Sequence, residues 1–454
     1  MDELANLDEL PSEIKSMIIN GCDKDDLQSL LLTSTRLKDV VERKLYEEIT
    51  LDETESKGDA VMAIANSPRA GIVRTIIYTP HDPQPMESDD HDNEIELSEA
   101  TAEVLRSLHK FPGLETFRFR CDLGGWDYNN WPQGAFHFWM ETREMAEGAL
   151  GAESEEPCRR LLNGSLVALC ESAGAFEALE LYNLPPIPTS EGSYSVFRTD
   201  KWLALVRGLK SFDLQLAGCE GGGALNMTCA HQEYIADFVD HTIRNLANVE
   251  RLRLAGELEG TIGHFDQQES FDWAVLDLPC LKEFELEWSS FENGLAQFLG
   301  KHAKRSLEEI HLRRCFTMGL DAWRRILDEI QDSQPPKLVK MRIEPYPVLK
   351  STTFGGSENY DDLPPQFVQK WEQGEVTFDA ELDRRFRRFV IAETCESYGA
   401  HQIKDDDYDS DLEGEEFENQ MEEFGSDLDE AKLDGDWKAV QDICARNSIK
   451  ATKA

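Results

Sequence analysis

Positive charge is scarce in this sequence: 46 Lys and Arg stand against 89 Asp and Glu, a formal net charge of −43 over 454 residues. A field of that sign repels phosphate backbones and anionic headgroups, which argues against nucleic acid or a membrane surface as partner. Long apolar runs are missing as well, and none approaches the roughly 20 residues that a membrane-spanning helix needs. No basic stretch followed by an apolar one opens the chain, so no secretory leader is expected. The ten cysteines (22, 121, 158, 170, 219, 229, 280, 315, 395 and 444) are scattered, with no C-x-x-C among them. That scatter fits reduced, buried thiols in the cytoplasm or nucleus, not a disulfide framework or zinc site.

Catalytic signatures are missing too. The sequence has no G-x-S-x-G, no H-E-x-x-H and no G-x-x-x-x-G-K-[ST], and its ten histidines never pair at i, i+4. The glycine-rich stretch Gly218–Gly223 carries Glu220 where a phosphate would need a positive neighbour, so it reads as a turn. No enzyme activity, metal or cofactor is expected.

What is present is an α/β pattern with 40% hydrophobic residues, in four regions. Residues 1–50 form a helix-patterned head. Residues 60–345 carry an apolar-x-x-apolar-x-apolar template eight times. It occurs at Val73/Ile76/Tyr78, Leu114/Phe117/Phe119, Phe176/Leu179/Leu181 and Leu209/Phe212/Leu214, then at Val249/Leu252/Leu254, Leu281/Phe284/Leu286, Leu307/Ile310/Leu312 and Leu338/Met341/Ile343. First positions are spaced by 41, 62, 33, 40, 32, 26 and 31 residues. Before most of them the apolar period is 3.6, as in Ile235, Phe238, Val239, Ile243 and Leu246 ahead of Val249. Each unit is therefore read as one helix and one strand whose apolar faces meet, with neighbouring units extending the core.

Residues 346–403 open with turn signals and end in an expected capping helix, Phe378–Tyr398. In the 404–454 tail, residues 405–436 hold sixteen Asp or Glu and one Lys. Such a block cannot bury enough apolar surface to offset chain entropy, so the tail is expected to be mostly disordered. The rest of the chain keeps a charge of −28.

The repeat pattern resembles leucine-rich repeats, whose signature is L-x-x-L-x-L-x-x-N/C-x-L. One unit, Leu307 to Cys315, matches through the polar position; elsewhere that place holds Asp122, Leu184, Ala217, Glu257 or Ser289. The resemblance implies an irregular α/β solenoid, with another arrangement of parallel strands as the alternative.

In the head, Pro11 suits a first helical turn, and Ile14, Met17 and Ile18 share a face. Asp25 or Asp26 can cap a second helix bearing Leu27, Leu30 and Leu31. Ser34 or Thr35 can open a third with Leu37, Val40, Val41 and Leu45. Three such helices carry more apolar surface than so small a bundle can enclose. Either the adjoining solenoid or another chain is expected to meet it.

This stretch closely resembles the F-box family, of the fungal type, at Leu10, Pro11, Glu13, Ile14, Ile18, Ile19, Asp26, Leu27, Leu30, Ser34, Leu37 and Val40; Cys22 stands where Leu is usual. The resemblance covers about a tenth of the chain. It implies a three-helix F-box that docks on the Skp-family adaptor of a cullin-RING (SCF) ubiquitin ligase through Leu10, Pro11, Ile14, Ile18, Leu27, Leu30 and Leu37. The repeats would then hold an unknown protein substrate. A non-catalytic binding scaffold acting outside ubiquitination is the alternative.

Candidate substrate contacts are Trp126, Tyr128 and Trp131, in a segment with six aromatics between Trp126 and Trp139. Strand residues between the apolar ones, Arg118, Arg120, Arg251, Arg253, Glu283, Glu285, Glu287, His311, Arg313 and Arg342, should share one face. Of these Arg251, Arg253 and Arg313 are further candidates, with cross-strand ion pairing the competing reading.

Overall fold

A computed structural model of the chain describes residues 11–33, 37–80, 97–121, 157–184, 196–217, 229–256, 262–263, 272–290, 293–315, 320–344 and 430–453. The chain divides into two compact units, Met1–Val249 and Glu250–Ala454. Within each unit, strands of four to seven residues pair parallel with neighbours in chain order, and helices fill the crossovers: an α/β architecture.

The first unit opens with three helices, α1 (Ser12–Asn20), α2 (Lys24–Thr33) and α3 (Lys38–Glu47). Pro11 sits at the N-cap of α1, and the turn at Gly21 returns its N–H to the Ile18 carbonyl. Asp23, not Asp25 or Asp26, opens α2, its carboxylate accepting from the Asp26 N–H at 2.8 Å. The three helices meet over a small core of Ile19, Leu27, Leu37 and Val41, with Cys22, Leu30 and Leu45 packed at its margin.

With no intervening residue, α3 runs into β1 (Glu48–Leu51), so the sheet starts before residue 60, the expected boundary. Arg69, in the following 3₁₀ turn, reaches back to α3. It donates to Glu42 at 2.9 Å and lies over the Tyr46 ring at 4.8 Å.

The sheet of this unit continues through β2 (Thr75–Tyr78), β3 (Thr116–Arg120), β4 (Ala178–Leu184) and β5 (Ser211–Leu216). Register aligns Ile49, Ile76, Phe117, Leu179 and Phe212 in one row, and Leu51, Tyr78, Phe119, Leu181 and Leu214 in another. All ten are buried. Helices α4 (Glu55–Ala65), α5 (Glu99–Arg106), α6 (Pro157–Leu169), α7 (Asp200–Arg207) and α8 (Cys229–His241) lie in the crossovers.

Thr54, Ser98 and Thr199 cap α4, α5 and α7. Buried polar pairs stitch neighbouring elements together: Tyr78 to Ser165 at 2.8 Å, and the Trp202 indole N–H to Thr242 at 2.9 Å. At Gly58 the α4 backbone approaches α5 so closely that a Cβ would sit 2.5 Å from the Thr101 nitrogen.

In the second unit β6 (Arg251–Ala255), β8 (Glu283–Glu287), β10 (Glu309–Arg313) and β11 (Lys340–Glu344) repeat the plan, and the short β7 (Ile262–Gly263) and β9 (Ser289–Ser290) pair beside it. Here Leu252, Phe284, Ile310 and Met341 form one apolar row, with Leu254, Leu286, Leu312 and Ile343 in the next. Cys315, the one residue matching the repeat signature at its polar position, is buried, and its thiol donates to the Leu286 carbonyl at 3.3 Å.

Helices α9 (Asn293–Ala303) and α10 (Leu320–Ser333) pack together. His302 of α9 is fully buried: its Nε2 accepts from the Leu278 N–H at 2.9 Å, which leaves Nδ1–H to donate to the Phe298 carbonyl at 2.7 Å. Burial lowers its pKa, opposed by the Phe298 bond and by Asp277, and assisted by Lys301 and Arg305.

The tail corrects the expectation of disorder. Residues 404–429, like the expected capping helix Phe378–Tyr398, lie outside the described residues. Glu430–Lys453, however, is a helix, α11, with Trp437, Val440, Ile443, Cys444 and Asn447 buried against α10 and β11. The physical reason is local composition: this stretch carries four acidic and five basic residues, and its apolar positions follow a helical period. Asn447 donates to the Pro335 and Leu338 carbonyls at 2.8 and 3.0 Å, and Ser448 to Val339 at 3.2 Å. These bonds hold the segment leading into β11, and Gln441 donates to the Met341 carbonyl of β11 at 3.4 Å.

Two outcomes are expected. A chain ending at residue 429 loses at least about 3 kcal/mol of second-unit stability, read by denaturant unfolding, because the sites of Trp437, Val440 and Ile443 are uncovered. Second, the depressed His302 pKa makes its contribution complete above the unfolded value near ~6.5 and lost as pH falls below it. The urea midpoint of the wild type therefore declines from about pH 6.5 to 5. His302→Leu shows a shallower decline from a baseline lower by about 1–3 kcal/mol, since the Leu278 N–H loses its acceptor.

Candidate partner-binding surfaces

Helix α1 buries the wrong side for an ordinary amphipathic helix. Ile19 alone turns into the core, while Ile14, Met17 and Ile18, at i, i+3 and i+4, are 41, 70 and 38% exposed. Pro11 is exposed one turn earlier, and Leu32, at the end of α2, is 89% exposed. Among the residues of α1 whose burial is described, Ile19 alone is buried, so the stripe is left to water.

The sequence-predicted contacts divide accordingly. Pro11, Ile14 and Ile18 lie on the exposed side, and Leu30 is half-buried. Leu27 and Leu37 do not: both are buried in the core of the bundle, where they shape the surface but present nothing to it. Leu10 lies outside the described residues, as do Trp126, Tyr128 and Trp131. Met17 and Leu32 were not among the expected contacts. The i, i+3 spacing of Met17 from Ile14 was the available signal; Leu32 had none.

The second surface is the polar face of the second unit's sheet. Register sets Arg253, Glu285, His311 and Arg342 side by side, with Arg251, Glu283, Glu309 and Lys340 in the row before. Arg251 and Glu283 are exposed and 3.7 Å apart. Arg253 donates to Glu285 at 3.3 Å and to Glu287 at 2.9 Å, and Arg313 reaches the same two carboxylates at 3.4 and 3.1 Å. Arg314 is 3.6 Å from Glu287, which is only 6% exposed. All three arginines expected to contact substrate are thus paired with glutamates across strands.

In the first unit Arg118 donates to Glu180 at 2.5 Å and lies 5.7 Å from the Tyr182 ring; Tyr182 donates in turn to Asp213 at 3.1 Å. Burial pushes the Tyr182 hydroxyl up to about 12, with Asp213 and Glu180 adding to it.

Among the described residues no group of His, Cys, Asp and Glu could hold a metal ion, and no helix is long and apolar enough to cross a membrane. Cys22, Cys121, Cys170, Cys280, Cys315 and Cys444 are free thiols. Burial pushes Cys170 up to about 12 and Cys444 to about 11, against nucleophilic use. A scan against models of protein families finds no match to the chain, and a search among curated proteins finds none either.

The two kinds of ion pair should differ in worth. Glu287→Leu leaves Arg253 and Arg313 without a main counter-charge at a poorly hydrated place, and is expected to cost about 3 kcal/mol. Arg251→Ala, which removes an exposed pair, should cost less than about 1 kcal/mol. Chemical denaturation of both variants checks the contrast.

Proposed function

We propose that the chain is a substrate-receptor subunit of an SCF-type cullin-RING ubiquitin ligase. The F-box-like head would dock on the Skp-family adaptor, and the stacked strand–helix units would hold a protein substrate. The observation that carries this reading is the outward apolar stripe of α1, Ile14, Met17 and Ile18, continued by Pro11. Water is a poor environment for three large apolar side chains in a row, whereas a second polypeptide covering them gains roughly 1.5–3 kcal/mol for each one fully buried.

The mechanism is proximity. A receptor that binds the ligase at one end and a target at the other raises the effective concentration of target lysines near the transfer machinery, without bond chemistry of its own. The direct run from α3 into β1, with Arg69 holding Glu42 and Tyr46, supports a fixed relation between head and first repeats.

A second reading, a binding scaffold outside ubiquitination, is favoured by one observation: Leu27 and Leu37 serve the head's own core.

Purified Skp-family adaptor should capture the full chain, and Ile14→Asp/Met17→Asp should reduce capture at least tenfold, about 1.4 kcal/mol or more. Both positions are exposed, so circular dichroism of the variant should match the wild type. Equal capture of the two chains, or none of either, rejects the ligase reading and leaves the scaffold.

A further inference from the structure

The C-terminal ends of β8 and β10 carry a cluster of charged side chains beside the buried Trp288. Three guanidiniums, Arg253, Arg313 and Arg314, gather around two carboxylates, Glu285 and Glu287, with the His311 imidazole 3.9 Å from Glu285. Arg342 and Glu344 are the register neighbours of His311 and Arg313 on β11. In a chain with nearly twice as many acidic as basic residues, this cluster has the opposite balance.

Its geometry is held at a cost. Trp288 and Arg314, the residues that follow β8 and β10, both have positive φ, 47° and 51°. Glycine or asparagine takes that conformation more cheaply, and the strand would end as well with either. Instead a tryptophan and an arginine occupy the two places, and the Arg314 guanidinium lies over the Trp288 ring at 5.3 Å. The Trp288 N–H is bonded to the Arg313 carbonyl at 3.1 Å, which fixes the two strand ends to one another. Strain of this kind persists where a side chain is needed in a set position. Here the aromatic ring orients the most exposed of the three guanidiniums.

We propose that this cluster is an oxyanion-binding site, receiving a carboxylate or phosphoryl group presented by a bound peptide. Glu287, buried beneath, holds Arg253 and Arg313 in place, and Arg314 supplies the planar fork that meets the incoming group. The site is independent of whether the head docks on an adaptor, and its test uses the isolated full chain.

The test is calorimetric titration with inorganic phosphate and, separately, with terminally blocked triglutamate, at matched ionic strength. Millimolar or tighter binding of at least one probe is expected, weakened about fivefold or more by Arg314→Gln and abolished by Arg314→Glu. Arg207→Gln, remote from the cluster in sequence and paired with Asn245, should leave it unchanged. Binding of phosphate alone assigns a phosphoryl ligand, of triglutamate alone a carboxylate, and of both the shared chemistry. Absence of heat with both probes, or wild-type affinity in Arg314→Gln and Arg314→Glu, overturns the proposal.

Discussion

In-register parallel pairing is the constraint from which the remaining features follow. Because the strands within each unit sit beside their sequence neighbours with equivalent residues opposed, one face stacks apolar on apolar and the other stacks charge on charge. Rows such as Ile49, Ile76, Phe117, Leu179 and Phe212 form a continuous core that no single unit could close alone. A slip of one residue would send every one of these side chains to water. The same register brings Arg253 and Arg313 onto the two strand-β8 glutamates, so the core and the ion-pair network are fixed by one event.

The head obeys a different logic. A nine-residue helix such as α1 is too short to hold itself by backbone hydrogen bonds, and Ile19 anchors it in the bundle core. Its other apolar residues stay outside, and α3 passes straight into β1. Stability of the head is therefore borrowed from the first repeats, while its own apolar surplus remains on display.

Much of the architecture was legible because buried strands and helices announce themselves by period. The eight apolar triplets fall at β2, β3, β4, β5, β6, β8, β10 and β11, and the polar residues between them lie on one face as expected. Where the reading failed, the cause was averaging. Charge counted over residues 405–436 submerged the balanced, apolar-stepped stretch that becomes α11. Asp23 was overlooked as a cap because its neighbours Asp25 and Asp26 offer the same side chain, and only backbone direction distinguishes them. Leu27 and Leu37 were grouped with the exposed residues because a resemblance specifies residue type and not which side of a small bundle is covered.

The sequence by itself determined the succession of strand and helix, the face each strand buries and the sign of the molecule's charge, since these depend on local period and composition. Tertiary structure alone decided which apolar residues of the head stay in water and which carboxylate each arginine meets. It also decided that a helix from the far end of the chain packs against β11. Those outcomes depend on register and on contacts between residues more than a hundred positions apart, such as Asn447 with Leu338. No short-range pattern encodes such distances, because burial and pairing are properties of what lies opposite, not of what lies next.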